Sequence, residues 1–150
     1  MPIVTKDPQF LDGYRASVWY QPEKFLYKRF RLLFDTSFSH WWVSNNSPNK
    51  SINIYSASPV LQYYLIQKHF FSYFLIVSIG LSYLTKTHLD HQNLGMHFAF
   101  QDQVGFGIHF GVKKSFTMSL TALHYSNGSL CKMNAGITVP LMLNVEYAFA

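Results

Sequence analysis

Long stretches of the chain carry large apolar or aromatic side chains at every second position. Seven such residues occupy the odd positions from residue 71 to residue 83, and the segments 96–112 and 137–149 repeat the alternation. Strict alternation is typical of a β-strand with two chemically different faces. The stretches are also about twice as long as the five or six residues usual in globular sheets. The pattern therefore predicts an all-β protein with unusually long strands.

The composition of the second face separates soluble from membrane architectures. That face carries mainly Gly, Ser, Gln and His, and only 13% of the chain is charged. A soluble β-sandwich hides its large residues between two sheets and covers its outside with more charge than this. A transmembrane β-barrel turns large residues towards lipid and small or polar residues towards its lumen. We therefore expect a transmembrane barrel rather than a soluble sandwich or a lipocalin-like barrel.

Long apolar runs are lacking, which excludes a bundle of membrane helices. Such a helix needs about 20 mostly apolar residues. The most apolar segment, 69–84, is shorter than this and contains Ser72, Ser78, Gly80 and Ser82. The mean hydropathy of +0.03 has the same origin, since an apolar face and a polar face average to nearly zero.

Seven strands are predicted, and short and long connections alternate between them. Bacterial outer-membrane barrels have short periplasmic turns and longer external loops, so the alternation orients the chain. It predicts an antiparallel up-and-down barrel in the bacterial outer membrane. The short connections fall at 21–24, 67–68 and 113–114, and the long ones at 44–50, 85–94 and 128–136. The strands are expected at 13–20, 25–43, 51–66, 69–84, 95–112, 115–127 and 137–149.

The odd number of strands conflicts with the even numbers of single-chain bacterial barrels. The first predicted strand also begins on the external side, although export delivers chains from the periplasm. We therefore expect residues 1–150 to form one barrel domain that is truncated at its N-terminus and lacks its first strand. The first 30 residues contain no apolar stretch of signal-peptide type, so export is not visible in the sequence itself.

Three polar residues on the predicted lipid-facing wall are candidates for catalysis. His124 and Ser126 continue the apolar face of strand 115–127. If the tight turn centres on residues 113 and 114, Asp102 falls opposite His124 or Ser126. Such residues are ordinary in the headgroup zone and costly in the apolar band. Taken together, they fit acyl transfer, with Ser126 as nucleophile, His124 as general base and nearby amides as oxyanion donors.

Several short motifs accompany these residues, and in combination they are far more specific than any one of them. They resemble the outer-membrane lipid A 3-O-deacylases of the PagL type over roughly residues 13 to 150. The matching motifs are His124-Tyr125-Ser126-Asn127, Asn134-x-Gly136-Ile137, Asp90-x-Gln92-Asn93-Leu94-Gly95, Phe100-x-Asp102-x-Val104-Gly105, Ser56-Ala57-Ser58-Pro59-Val60 and Gly80-Leu81-Ser82.

The resemblance implies an eight-stranded barrel with a serine esterase site on its outer wall. The implied reaction hydrolyses the ester of the 3-position acyl chain of lipid A in lipopolysaccharide, without metal or cofactor. By this similarity, His124 is the base and Ser126 the nucleophile. Asn127 and Asn134 lie at or near the oxyanion hole. Asp102 takes the place of the acid that contacts the hydroxyl of the substrate's acyl chain.

The chain departs from the family pattern at Thr138, where the resemblance expects the glutamate of a catalytic triad. Threonine can accept a hydrogen bond from the imidazole of His124 but supplies no charge to stabilise imidazolium. Strict alternation places Thr138 on the lumen side, and a bulge near Pro140 would restore it to the outer face. Glu146 is no obvious substitute, because it lies about 26 Å further along the strand. The alternative is therefore a catalytically weak or inactive homologue.

The charge balance is consistent with an anionic partner. Twelve Lys and Arg residues face seven Asp and Glu residues, for a formal net charge of +5. A phosphorylated lipid would suit this charge, whereas no basic-aromatic groove of the kind that binds nucleic acid is present. His88, His91 and His97 follow no known metal-ligand spacing. We expect lipopolysaccharide and outer-membrane lipid as partners, and the oligomeric state is left open.

Overall fold

The computed structural model describes residues 11–22, 26–43, 50–89, 92–132 and 136–149. Most of them form an antiparallel eight-stranded sheet, rolled into a nearly closed barrel, in which seven long strands follow each other in chain order and a two-residue strand, Leu26–Tyr27, pairs at one end. A separate two-stranded sheet pairs His88–Leu89 with Gln92–Asn93 in a long connection. The predicted all-β up-and-down barrel is confirmed. The long strands are β1 (Leu11–Tyr20), β2 (Phe30–Val43), β3 (Ser51–Gln67), β4 (Phe71–Leu84), β5 (Phe98–Phe110), β6 (Phe116–Ser126) and β7 (Ile137–Tyr147).

The predicted strand 25–43 is wrong at its start. The chain forms a tight hairpin there, in which Tyr27 pairs with Phe30 and the turn lies at Lys28 and Arg29. Lys28 has a φ of 53°, a left-handed conformation that ends a strand. Hydrophobic alternation continues through this turn, so periodicity alone did not reveal it. Among the described residues, no helix is long and apolar enough to cross a membrane.

The alternation along the strands corresponds to an outside and an inside of the barrel. In β4 every even position is buried, and the odd positions from Tyr73 to Tyr83 are exposed. The same holds for β5, where Val104 and Phe106 face outward and Gln101 and Gln103 face the lumen. The structure confirms the predicted apolar outer wall.

Two apolar clusters interrupt the polar lumen, which corrects the prediction of a polar or glycine-lined interior. Towards the long-loop end, buried apolar residues close the barrel, among them Trp41, Ile54, Leu84, Leu123 and Tyr125. Towards the short-turn end, a second cluster contains Leu33, Val60, Tyr64, Phe74 and Ile76. Between them lie serine and glutamine side chains and the buried ion pair of Arg15 with Asp35.

A bulge in β7 exchanges the two faces of that strand. Its register against β6 shifts between Val139 and Met142, next to Pro140. Ile137 and Val139 are therefore buried, and Thr138 is exposed, opposite to strict alternation. Beyond the bulge, apolar residues such as Leu143 point outward again. The expected bulge near Pro140 is confirmed, and the assignment of Ile137 and Val139 to the lipid face is wrong.

The edges of the described sheet are β1 and β7. They run in the same direction, because six antiparallel steps separate them. A cavity of about 1100 Å³ lies along both strands and reaches Arg31 and Gln62 inside the barrel. The described residues therefore leave the polar interior open to the side along this seam.

Candidate active site

Three neighbouring strands bring the predicted polar residues into one row on the outer wall. Asp102 of β5 lies directly opposite His124 of β6, and His124 lies opposite Thr138 of β7. Ser126 is paired with Phe100. The structure therefore selects one of the two registers expected for the β5–β6 hairpin.

The imidazole of His124 is held by Thr138. The ring atom Nδ1 lies 2.9 Å from the hydroxyl oxygen of Thr138, within hydrogen-bonding distance. This contact depends on the β7 bulge, which places Thr138 on the same face as His124. With Nδ1 occupied in this way, the second ring nitrogen, Nε2, remains for a proton transfer.

Gly136 packs against the same ring near its Cε1 and Nε2 atoms. A Cβ atom added to Gly136 would lie 3.2 Å from His124 Cε1 and 3.1 Å from the carbonyl oxygen of Tyr125. The backbone φ of Gly136 is 72°, a value that residues other than glycine rarely adopt. Glycine at this position therefore serves both the turn and the close approach to the imidazole.

Ser126 ends β6 at the long-loop side of the barrel and is half-buried. It lies two residues beyond His124 on the same outward face, about 7 Å along the strand. A small cavity of about 10 Å³ is lined by Ser126, Asn127 and Gly136 together with buried apolar residues. The serine is thus accessible from the wall and backed by a tightly packed loop junction.

Asn127 forms that junction. Its side chain is 2% exposed, and its Nδ2 donates a hydrogen bond of 3.0 Å to the carbonyl oxygen of Leu94. Its Oδ1 accepts a hydrogen bond of 3.0 Å from the backbone N–H of Ser129. Asn127 therefore ties the loop before β5 to the loop after β6. Asn134, the other predicted oxyanion residue, lies outside the described residues.

Tyr125 anchors the segment that carries the two candidate catalytic residues. Its ring is buried in the apolar cluster at the long-loop end, between the outward-facing His124 and Ser126. Its hydroxyl lies 3.4 Å from the hydroxyl of Ser39 on β2, across the lumen. Sequence reasoning missed this anchor, although the alternation of β6 placed Tyr125 inside.

Two of the motifs meet inside the barrel, on β3 and β4. Ser56 and Ser82 lie opposite each other, and their hydroxyl oxygens are 2.6 Å apart. A Cβ atom on Gly80 would fall 1.9 Å from the hydroxyl of Ser58, so only glycine fits there. The serine and glycine residues of these motifs pack the strands in the lumen, whereas Ala57, Pro59 and Leu81 are exposed on the outer wall.

An outward-facing serine, a histidine with a hydroxyl partner and an adjacent carboxylate are the parts of an ester-hydrolase site. Barrel and site together define a β-barrel protein with a serine, a histidine and a carboxylate close together on two neighbouring strands of its outer wall. Residues 12–148 match the family described as Lipid A 3-O-deacylase (PagL). The chain therefore belongs to the PagL family, as its motifs predicted.

Individual relatives agree with this membership. A segment of 64 residues is 36% identical to the lipid A deacylase PagL of Pseudomonas aeruginosa (strain PAO1), covering 43% of this chain and 36% of that protein. The match therefore spans about a third of the length of the curated relative. The crystal structure of the outer membrane enzyme PagL superposes with a TM-score of 0.78 and covers 91% of this chain and 90% of that one. At 23% identity this second likeness supports the fold.

Proposed function

We propose that this chain is an outer-membrane lipid A 3-O-deacylase with Ser126 as its nucleophile. The observation that carries the proposal is the row of polar residues on the apolar outer wall. His124, with Nδ1 held by Thr138, lies on the same face as Ser126 and directly opposite Asp102. Polar groups on such a wall are costly in lipid, so their presence there supports a functional role.

The location of this site fits a substrate in the outer leaflet. Ser126 ends β6 next to the longer connections, which face the cell exterior in bacterial outer-membrane barrels. The exposed wall between Ser126 and the short-turn end carries Leu141, Val104 and Phe106. An acyl chain can lie along these residues while the ester bond is at the level of Ser126. Lipid A, which is esterified and anchored by its acyl chains, has this geometry.

The proposed reaction proceeds through an acyl-enzyme. His124 Nε2 takes the proton of the Ser126 hydroxyl, and Ser126 Oγ forms a bond to the carbonyl carbon of the ester. The tetrahedral intermediate collapses, and the 3-hydroxyl of lipid A leaves with the proton returned by His124. Water, deprotonated by His124, then hydrolyses the acyl-serine and releases the fatty acid.

Asn127, Asn134 and Asp102 have supporting roles in this proposal. Asn127 lies next to the nucleophile and fixes the loop junction, so it positions backbone donors for the oxyanion. We also assign Asn134 to the oxyanion region, on the family resemblance. Asp102 is exposed on the wall beside His124, where it can accept a hydrogen bond from a hydroxyl on the acyl chain.

A catalytically weak or inactive homologue is the second candidate, and Thr138 favours it. The hydroxyl orients His124 but supplies no negative charge for the imidazolium that forms during the reaction. In a serine protease, replacing the triad aspartate with a neutral amide lowers turnover by about four orders of magnitude. Neutral third members nevertheless support catalysis in Cys-His-Asn enzymes.

Incubation of the full chain, folded in detergent, with lipopolysaccharide tests the proposal. Mass spectrometry of the products should detect a released 3-hydroxy fatty acid and lipid A that has lost one 3-O-acyl chain. Ser126→Ala should abolish the release. Ser119→Ala is the matched control, because Ser119 lies on the same strand but faces the lumen. Absence of release from the unaltered chain would favour the inactive homologue.

A further inference from the structure

The short-turn end of the barrel carries a concentration of positive charge that the proposed chemistry does not use. The hairpin before β2 and the turns β3–β4 and β5–β6 all lie at this end. We call their five cationic residues the basic collar, and within the described part of these turns no Asp or Glu accompanies them. The basic collar consists of Lys28, Arg29, Lys68, Lys113 and Lys114.

Three lysines of the basic collar have a backbone conformation that disfavours lysine. The φ angles of Lys28, Lys113 and Lys114 are 53°, 52° and 55°, in the left-handed region. Gly, Asn and Asp adopt this region at lower energy than residues with long side chains. The geometry of the turns therefore does not explain the lysines at these positions, whereas a function of their positive charge would explain them.

The side chains of the basic collar combine anchored and exposed charges. Lys114 Nζ donates a hydrogen bond of 2.8 Å to Ser72 Oγ, and Arg29 Nη1 donates one of 3.3 Å to the carbonyl oxygen of Leu65. Lys28, Lys68 and Lys113 are exposed. A band of exposed aromatic residues lies beside the collar, comprising Tyr20, Tyr27, Phe30, Phe70, Phe116 and Tyr147.

Aromatic side chains next to cations are the arrangement found where a protein surface crosses from acyl chains to phosphate headgroups. We propose that the basic collar binds anionic phospholipid headgroups, such as phosphatidylglycerol, in the inner leaflet of the outer membrane. The inference rests on the proposed membrane location and orientation, but not on the catalytic proposal. The collar is about 30 Å along β6 from Ser126, so the two surfaces are separate.

The test removes charge without removing turn stability. A Lys28→Asn, Lys68→Asn, Lys113→Asn variant removes three exposed charges and keeps the hydrogen bond of Lys114 to the buried Ser72. Asparagine tolerates the left-handed conformation of Lys28 and Lys113 better than lysine. The matched control is Lys50→Asn, Lys86→Asn, Lys132→Asn, which removes the same charge at the long-loop end. Each protein is folded in detergent and mixed with equimolar phosphatidylglycerol and phosphatidylcholine. Native mass spectrometry then counts the lipids that each protein retains.

The unaltered chain should retain phosphatidylglycerol preferentially, and the collar variant should lose most of that preference. Each lysine near an anionic surface strengthens association by about fivefold, so a loss of at least about fivefold is expected. The control variant should keep the preference. An unchanged ratio in the collar variant, or an equal loss in the control, would overturn the proposal. Binding to peptidoglycan sacculi that disappears in the collar variant, without any lipid preference, would also overturn it. Gel mobility with and without heating shows that each barrel is folded, and deacylase activity is not part of the readout.

Discussion

The hydroxyl of Thr138 lies 2.9 Å from Nδ1 of His124, at the position where the family resemblance expects a carboxylate. The hydrogen bond holds the ring, which is the orienting contribution that the proposed mechanism needs. The charge that stabilises imidazolium is not supplied by this residue. A triad acid orients the imidazole and also supplies negative charge. Thr138 can make the first of these contributions but not the second.

Restoring the charge should increase the rate. Thr138→Glu places a carboxylate beside the imidazole, on the outward face created by the β7 bulge. We expect kcat for lipopolysaccharide deacylation to rise by about tenfold or more, with KM little changed, because the charge acts mainly on the transition state. Steady-state release of fatty acid measures both constants.

Removing the hydroxyl tests the orienting contribution separately. Thr138→Val keeps the branched shape but leaves Nδ1 of His124 without the hydrogen bond to Thr138. We expect kcat to fall by about tenfold, which is part of the roughly 10²–10⁴-fold that a positioned general base contributes. If Thr138→Glu and Thr138→Val both leave kcat unchanged, Thr138 does not act on His124 during the reaction.

The packing of Gly136 on the imidazole predicts a second effect on kcat. In Gly136→Ala the new methyl group meets His124 Cε1 at 3.2 Å and adds strain at a φ of 72°. The ring must shift, so activity should fall by about 10²-fold. Gly111→Ala is the control, because Gly111 has a φ of 84° but lies at the opposite end of the barrel. Equal losses in both variants would indicate a general folding defect.

Asp102 should affect substrate selectivity more than turnover. In Asp102→Asn the side chain keeps its size but loses its charge, which weakens its hydrogen bond to an acyl hydroxyl by about 1 kcal/mol. We expect the preference for 3-hydroxyacyl over unhydroxylated ester substrates to fall by about fivefold. Asp12→Asn, at an exposed position of β1, should leave it unchanged. A preference that persists in Asp102→Asn would remove Asp102 from the binding site.

Asn127 should affect loop order as well as catalysis. Asn127→Ala leaves the carbonyl oxygen of Leu94 and the N–H of Ser129 without their Asn127 partner. The loss of these bonds should cost about 1–3 kcal/mol locally. Limited proteolysis should then cleave faster between β4 and β5. Asn144→Ala, which removes a hydrogen bond to Thr121 inside the barrel, should not change that cleavage.

Much of the architecture was predictable because strand periodicity and turn length are local properties. The exposed row on β4 and the inward position of Tyr125 follow directly from a period of two. The hairpin at Lys28 did not follow, since lysine is an unusual residue for a left-handed turn. The two apolar clusters in the lumen could not be predicted either. A period of two shows which residues face inward, but not which inward residues of different strands lie at the same level of the barrel.

For the candidate site, the sequence predicted which residues pair across strands better than it predicted how the side chains pack. A tight turn at residues 113 and 114 predicted that Asp102 lies opposite His124 or Ser126, and the structure has the first of these registers. The face of Thr138 depended on a bulge that alternation alone contradicts, although Pro140 was a signal for it. The contacts of Gly136 with His124 and of Asn127 with Leu94 join segments distant in sequence, so only the three-dimensional structure shows them.

The most direct measurement is covalent trapping of the nucleophile. The full chain, folded in detergent micelles, is treated with a long-chain alkyl fluorophosphonate, and the modified residue is identified by peptide mass spectrometry. We predict a single adduct on Ser126, because His124 activates this hydroxyl, and its loss in His124→Gln. The absence of an adduct on Ser126, or an equal yield in His124→Gln, would contradict the assignment of Ser126 as the nucleophile.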